Sequence, residues 1–214
     1  MLSVFVEGGP FMFVILGISV IALAVFLERA VFLYFRMNLN MDKAYQQILY
    51  PLEKENFRAA IDGCSKIIKH PLGKILKAGL IKADRRDKEI ERAMEEKMIS
   101  ESARLKSRVN LLTLFANIVA LLGLLGTILG LISAFQSVSS ASAAAKQDIL
   151  ARGISTAMST TAAGLIVAIP CLAGFYILNN RSDFILDKLE EKAVAMANTL
   201  SALKQKKAND AAAR

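Results

Sequence analysis

Two stretches of the chain stay apolar for longer than any amphipathic pattern requires. Val109 to Phe135 reads VNLLTLFANIVALLGLLGTILGLISAF and Gly153 to Leu178 reads GISTAMSTTAAGLIVAIPCLAGFYIL, and neither contains Asp, Glu, Lys, Arg or His. As helices rising about 1.5 Å per residue, each extends roughly 40 Å, more than a hydrocarbon core of about 30 Å. Both are predicted to cross a membrane. The stretch from Pro10 to Phe35 is a third span, whose only charges, Glu28 and Arg29, lie close enough to Arg36 for long side chains to reach an interface. The predicted fold is all-α, a polytopic membrane protein with three transmembrane helices and long second and third helices that extend into a cytoplasmic helical bundle.

Between the spans the pattern changes. Met41 to Leu52 and Asn56 to Lys69 read as two helices, with breaks marked by Pro51 and by His70-Pro71, because the residue before a proline disfavours the helical region. Helical spacing resumes at Leu72. With Asp87 as a candidate cap, Ile90, Met94, Met98, Leu105, Val109 and Leu112 recur at helical steps into the second span, which predicts one unbroken rod. After the third span, Ile185, Leu189, Ala193, Met196, Leu200 and Leu203 fall at steps of 4, 4, 3, 4 and 3, a coiled-coil-like seam ahead of a solvated KQKKANDAAAR tail. The parts are therefore an interfacial segment 1–9, spans 10–35, 109–135 and 153–179, a helical connector 36–108, a short loop 136–152 able to form a hairpin or extend a helix, and a C-terminal helix and tail 180–214.

Charge fixes the expected orientation. A hydrophobic fraction of 54% without a single Trp fits a small membrane protein, and the net charge of +8 is unevenly distributed. Of the 27 Lys and Arg, 17 lie between Arg36 and Arg108 and seven between Arg181 and Arg214. Both regions are predicted to be cytoplasmic, with the N-terminus and the 136–152 loop on the periplasmic side. The basic excess thus points to a membrane, its lipids and its sidedness rather than to nucleic acid. MLSVFVEGGP has neither a basic start nor a small-residue cleavage site and is read as part of the mature protein.

Few side chains offer chemistry. His70, the only histidine, is expected at the surface and cannot build a metal site alone. Cys64 and Cys171 fall in different predicted compartments and suggest neither a disulfide nor a nucleophile. GLLGTILG has no lysine after its last glycine and no strand before it, which excludes a phosphate loop. No acid, base and nucleophile can be gathered from the spans, so no enzyme, cofactor or metal is expected. The glycines offer close packing instead. Gly126 and Gly130 form a GxxxG pair, Gly123 and Thr127 repeat it one turn earlier, and Thr156, Thr160, Gly164 and Ala168 place small residues at steps of four in the third span. Pro170 cannot donate to the helix ladder, so a kink is expected there.

LLGLLGTILGLISAF, followed after a short loop by GIS-AM-TTA-GLIVAIP, resembles the signature of the MotA/TolQ/ExbB proton-channel family and in particular its TolQ/ExbB branch. The match is strongest from Asn117 to Leu172, and EGGP and the LERAVFL stretch around Glu28 agree with it. The resemblance implies a homo-oligomer, a pentameric ring in the bacterial inner membrane. Its centre would hold two copies of an ExbD/TolR-like single-span partner, with a TonB/TolA-like or motility protein further along. It also implies coupling of proton flow to work on the cell envelope: biopolymer transport, Tol/Ton-type energisation or gliding. The family's pore threonines correspond to Thr127 and Thr161, with Thr156 and Thr160 as helpers along the ion pathway.

Two positions depart from that pattern. Thr156 stands where many ExbB and TolQ chains have a glutamate, and Ala120 where they have a proline. A hydroxyl orients water or bonds a carboxyl, but with no pKa near neutrality it cannot store and release a proton. The titrating group must then come from another chain, and the resemblance points to the partner's intramembrane aspartate. Three classes stay open: a proton-channel subunit, a non-conducting scaffold of an envelope complex, and a sodium-driven relative that would use the extra hydroxyls of Ser155, Ser159 and Thr160.

Overall fold

The computed structural model describes residues 9–139 and 142–212, and the described residues are almost entirely helical. In chain order the helices are α1 (Gly9–Val31), α2 (Met41–Glu53), α3 (Phe57–Lys66), α4 (Pro71–Ile81), α5 (Asp87–Lys106), α6 (Asn110–Ser139) and α7 (Ala143–Ala212), with a π-helical turn at Phe32–Arg36. By length and composition, three helical segments are able to cross a membrane: Phe11–Arg36 and windows within Asp87–Ser139 and Ala145–Asp210. The protein is an all-α polytopic membrane protein. The interfacial segment expected at 1–9 lies, apart from Gly9, outside the described residues. Around 136–152 the chain takes the helical option, with α6 ending at Ser139 and α7 beginning at Ala143. Its run of alanines favours that choice.

The helices form two compact units, one built from the chain up to Ala30 with Arg108–Asn179, the other from Val31–Ser107 with Asn180–Arg214. Beside the buried Met12, Ile15, Leu112 and Leu178, the apolar unit packs many small residues. Ala22 of α1, Ala116, Gly123, Gly126 and Ala134 of α6, and Ala157, Gly164 and Ala168 of α7 are buried. Phe13, Leu121 and Ile166 are instead 66%, 65% and 71% exposed. Large apolar side chains turned outward are what a lipid-facing surface requires, because association in lipid rewards close backbone approach rather than apolar burial. The ring of Phe26 packs where a Cβ on Gly174 would stand, 2.9 Å away. Helix α7 continues through Pro170.

The charged unit buries more large side chains. Its core is large and apolar: Ile48, Leu52, Leu72, Ile75, Leu76, Ile90 and Leu105 are each at most 2% exposed. Asn40 and Asn56 cap α2 and α3 by accepting from Lys43 N and Ala59 N at 3.1 and 3.0 Å. From the seam on α7, Ile185, Leu189, Ala193, Met196 and Leu200 are buried and Leu203 is partly covered. Ion pairs join this part of α7 to its neighbours: Lys192 to Asp42 at 2.5 Å, Lys204 to Asp87 at 2.9 Å, and Lys106 to Asp183 at 2.8 Å. Beyond the seam the chain stays helical to Ala212, with residues 205–210 exposed.

Four local expectations are corrected. Pro51 sits inside the last turn of α2 rather than ending it. Asp87 is not a cap but the first residue of α5, where Ser201 and Lys204 hydrogen-bond its carboxylate and hold it below the usual carboxylate range. His70, expected at the surface, is 6% exposed, because its Nδ1 caps α4 by accepting from Leu72 N at 3.2 Å. Burial lowers its pKa, while the Met37 carbonyl and Glu101 push the other way. Finally, the rod expected from Asp87 through the second span is two helices. They part at Ser107–Val109, where Arg108 takes the left-handed region at φ 63°. The Arg108 guanidinium holds both carboxylate oxygens of Glu28 at 2.9 and 3.0 Å, and Glu28 also lies 3.5 Å from the buried Arg29.

Candidate functional site

Within the apolar unit, the site is created by missing side chains. A Cβ on Gly164 would stand 2.9 Å from the Val119 carbonyl and 3.2 Å from the Gly123 Cα, and one on Gly130 would stand 2.9 Å from the Ala157 Cβ. A Cβ on Gly123 would meet the Thr161 Cα at 3.2 Å, and on Gly126 the methyl of Thr160 fills the space. The glycine faces read from the two spans thus meet each other inside one chain. Helices this close bring side chains of one within reach of the other's carbonyls.

That reach is used by two threonines. Thr161 Oγ1 on α7 donates across to the Gly123 carbonyl of α6 at 2.9 Å. From α6, Thr127 Oγ1 lies 3.2 Å from its own helix's Gly123 carbonyl and 3.2 Å from the Ala157 carbonyl of α7. The Thr127 and Thr161 hydroxyls are also hydrogen-bonded to each other. Both residues are half-buried. Each hydroxyl brings one proton and two lone pairs, so the pair satisfies its donors internally and keeps acceptor capacity toward the open side.

The other two threonines serve differently. Thr160 is 2% exposed, its methyl pressed on Gly126, and its hydroxyl donates to the Thr156 carbonyl at 3.1 Å. Thr156, half-buried, lies one turn before it. Ser159 likewise returns its hydroxyl to the Ser155 carbonyl at 2.9 Å. Such bonds to the preceding turn satisfy a hydroxyl within its own helix. Of the four threonines marked in the sequence, then, the geometry joins Thr127 and Thr161. Pro170 is exposed on α7 and makes none of the close approaches to a glycine.

No Asp, Glu, Lys, Arg or His lies in α6 or in the apolar part of α7, from Gly153 to Leu178. The arrangement can orient water or hydrogen-bond a carboxyl group, and it cannot itself carry a proton at neutral pH. Among the described residues, no three His, Cys, Asp or Glu side chains are grouped to hold a metal. In the charged unit Cys64 is buried, which pushes its thiol up to about 12 and keeps it unreactive. Sequence reasoning missed three contacts: Phe26 on Gly174, Ala134 on Gly153, and Glu28 on Arg108. Both glycines stand outside the steps-of-four register. The ion pair joins residues 80 positions apart.

Residues 67–191 match the family described as the MotA/TolQ/ExbB proton channel family. Among individual proteins, the biopolymer transport protein exbB1 of Vibrio cholerae is 46% identical over 84 residues, 39% of this chain and 37% of that protein. A Synechocystis sp. protein named as ExbB-like 1 is 32% identical over 184 residues, 83% of this chain and 70% of that one. The Tol-Pal system protein TolQ of Haemophilus influenzae is 37% identical over 94 residues, 44% of this chain and 41% of that protein.

Proposed function

The chain belongs to the MotA/TolQ/ExbB proton channel family, in its TolQ/ExbB branch, and we propose that it is the ring-forming subunit of a proton-driven motor in a bacterial inner membrane. In this reading several copies, five by family likeness, surround the single membrane helices of an ExbD/TolR-like partner. Proton flow through the assembly does work on the cell envelope. The N-terminus and the 136–152 loop face the periplasm, and the connector and C-terminal helix face the cytoplasm, as the clustering of Lys and Arg favours.

The observation that carries this reading is the Thr127–Thr161 pair set in two apolar spans, 109–135 and 153–178, that hold no Asp, Glu, Lys, Arg or His. A proton relay needs a site that changes charge, and a carboxylate on the partner's helix supplies it. The hydroxyl pair accepts a hydrogen bond from the protonated carboxyl, or from a water beside it, as the proton passes. Thr156 and Thr160 support the pair: Thr160 holds the helix spacing and Thr156 receives its hydroxyl.

One observation favours a second reading. Every hydroxyl proton of the pair has an acceptor inside the chain, which is also what a plain clasp between α6 and α7 needs. In that case the subunit is a scaffold that passes no ions. A sodium-driven relative would need several converging oxygens, and those that converge here, two hydroxyls with the Gly123 and Ala157 carbonyls, are already hydrogen-bonded to one another. The proton reading is therefore preferred to it.

The test is proton flux in liposomes containing the chain co-purified with its partner. Thr161→Val should lower flux by up to about tenfold, the scale of one lost hydrogen bond, while Thr161→Ser keeps most of it. Loss of thermal stability in Thr161→Val without any flux in the parent complex selects the scaffold. Flux that follows sodium at fixed pH selects the third class.

A further inference from the structure

Outside the hydroxyl site, the strongest unassigned feature is a cavity in the charged unit. It has a volume of about 600 Å³, and its lining includes Arg36, Ile68, Lys69, His70, Lys74 and Arg104. Four basic side chains share it with one nearby carboxylate, that of the buried Glu101, which lies 2.5 Å from Lys74 Nζ and 3.6 Å from Arg104. Neither Arg36 nor Lys69 has a carboxylate within 4.0 Å among the described residues. The formal excess is three positive charges around a space large enough for a small polar group. Cations gathered without counter-charge raise the local potential and favour an anion there.

The surroundings narrow the choice of anion. Arg36 closes the first apolar helical segment, Phe11–Arg36, so the cavity opens where a membrane-crossing stretch gives way to polar chain. Phe35, the residue before it, is 81% exposed, and Ile68 on the cavity wall is 38% exposed. The guanidinium of Arg104 lies 6.0 Å from the centre of the Phe32 ring, which fixes it beside apolar surface. A ligand that satisfies both halves of this surface carries a negative phosphate and an apolar chain. We infer that this cavity binds the phosphate of an anionic phospholipid, with Arg36 and Lys69 as its principal contacts and Lys74 and Arg104, held by Glu101, behind them. Phosphate recognition by basic pockets at headgroup depth follows the same physics. The site lies outside the helices that carry Thr127 and Thr161 and is independent of the proton reading.

The experiment titrates the purified full-length protein in detergent with short-chain phosphatidylglycerol, phosphatidylcholine of the same chain length, and inorganic phosphate, by calorimetry. Phosphatidylglycerol should bind at least about tenfold more tightly than phosphatidylcholine, and raising the salt should weaken it. The double variant Arg36→Gln/Lys69→Gln should lose about tenfold or more, while Lys97→Gln/Lys206→Gln, which removes exposed charges elsewhere, leaves binding unchanged. Arg36→Lys keeps the charge and should stay within about threefold, which separates a lost contact from a misfolded chain. Equal binding of the two lipids, or an Arg36→Gln/Lys69→Gln variant that binds as the parent does, overturns the proposal. Inorganic phosphate that binds as tightly as phosphatidylglycerol overturns the lipid assignment in favour of a free anion.

Discussion

The apolar unit and the charged unit use the same element, the α-helix, and hold it by a different balance of means. Where α6 meets α7 the contact is made of absences, with Gly123, Gly126, Gly130 and Gly164 admitting a neighbouring backbone or methyl. In the charged unit the contact is made of bulk, with Leu189, Met196 and Leu200 buried on α7 and ion pairs at the rim. Helix α7 takes part in both, and its pattern changes from small residues at steps of four to a seam of larger ones. The difference follows the solvent. Water drives apolar side chains together at roughly 25 cal/mol per Å² buried, whereas lipid gives no such gain and leaves dispersion contact and hydroxyl bonds to hold helices.

Substitutions can break this contrast. The largest effect is expected from Gly164→Val, because the Val119 carbonyl, 2.9 Å from where the first added carbon would stand, is backbone and cannot step aside. No monodisperse folded protein should elute from size exclusion in detergent. Next comes Leu189→Ala, which leaves a void in a fully buried seam and should cost about 2–5 kcal/mol, read as a lower melting temperature. If Leu189→Ala proved harmless while Gly164→Val was severe, the bulk-packing half of the contrast would fail.

Arg108→Gly sharpens the comparison at a smaller scale. A left-handed φ disfavours any residue with a Cβ by about 1–2 kcal/mol, so glycine should stabilise that turn by up to about that amount, less what the Glu28 pair contributes. The Arg108→Gly/Glu28→Gln double variant separates the two terms. The smallest effect concerns His70. Burial favours its neutral form, so the unfolded chain binds the proton more readily. Stability from this group is present above the unfolded value of about 6.5 and declines as pH falls below it. His70→Gln should flatten that slope in melts between pH 5.5 and 7.5.

What the sequence made legible is what depends on one dimension. Runs without charge revealed the membrane-crossing helices, and steps of 4 and 3 revealed the seam from Ile185 to Leu200, because both are properties of a single helix. The small-residue faces were legible as faces but their partners were not: nothing in the spacing of Gly123 or Gly164 says that each lies against the other. Likewise the resemblance marked Thr127 and Thr161, while their mutual hydrogen bond depends on how closely two helices approach. His70 reads as a turn residue and is buried because a ring nitrogen caps α4, which a pattern of polar and apolar letters does not encode.

The left-handed Arg108 carries one more consequence. Local preference from Asp87 to Ser139 favours an uninterrupted helix, and the acid that grips Arg108 belongs to α1, far upstream. The break is therefore a property of the folded whole rather than of the segment that breaks. A synthetic peptide covering 87–139 in micelles should be helical through residue 108, and any fusion or truncation that discards the first thirty residues would remove the ion pair made at that break.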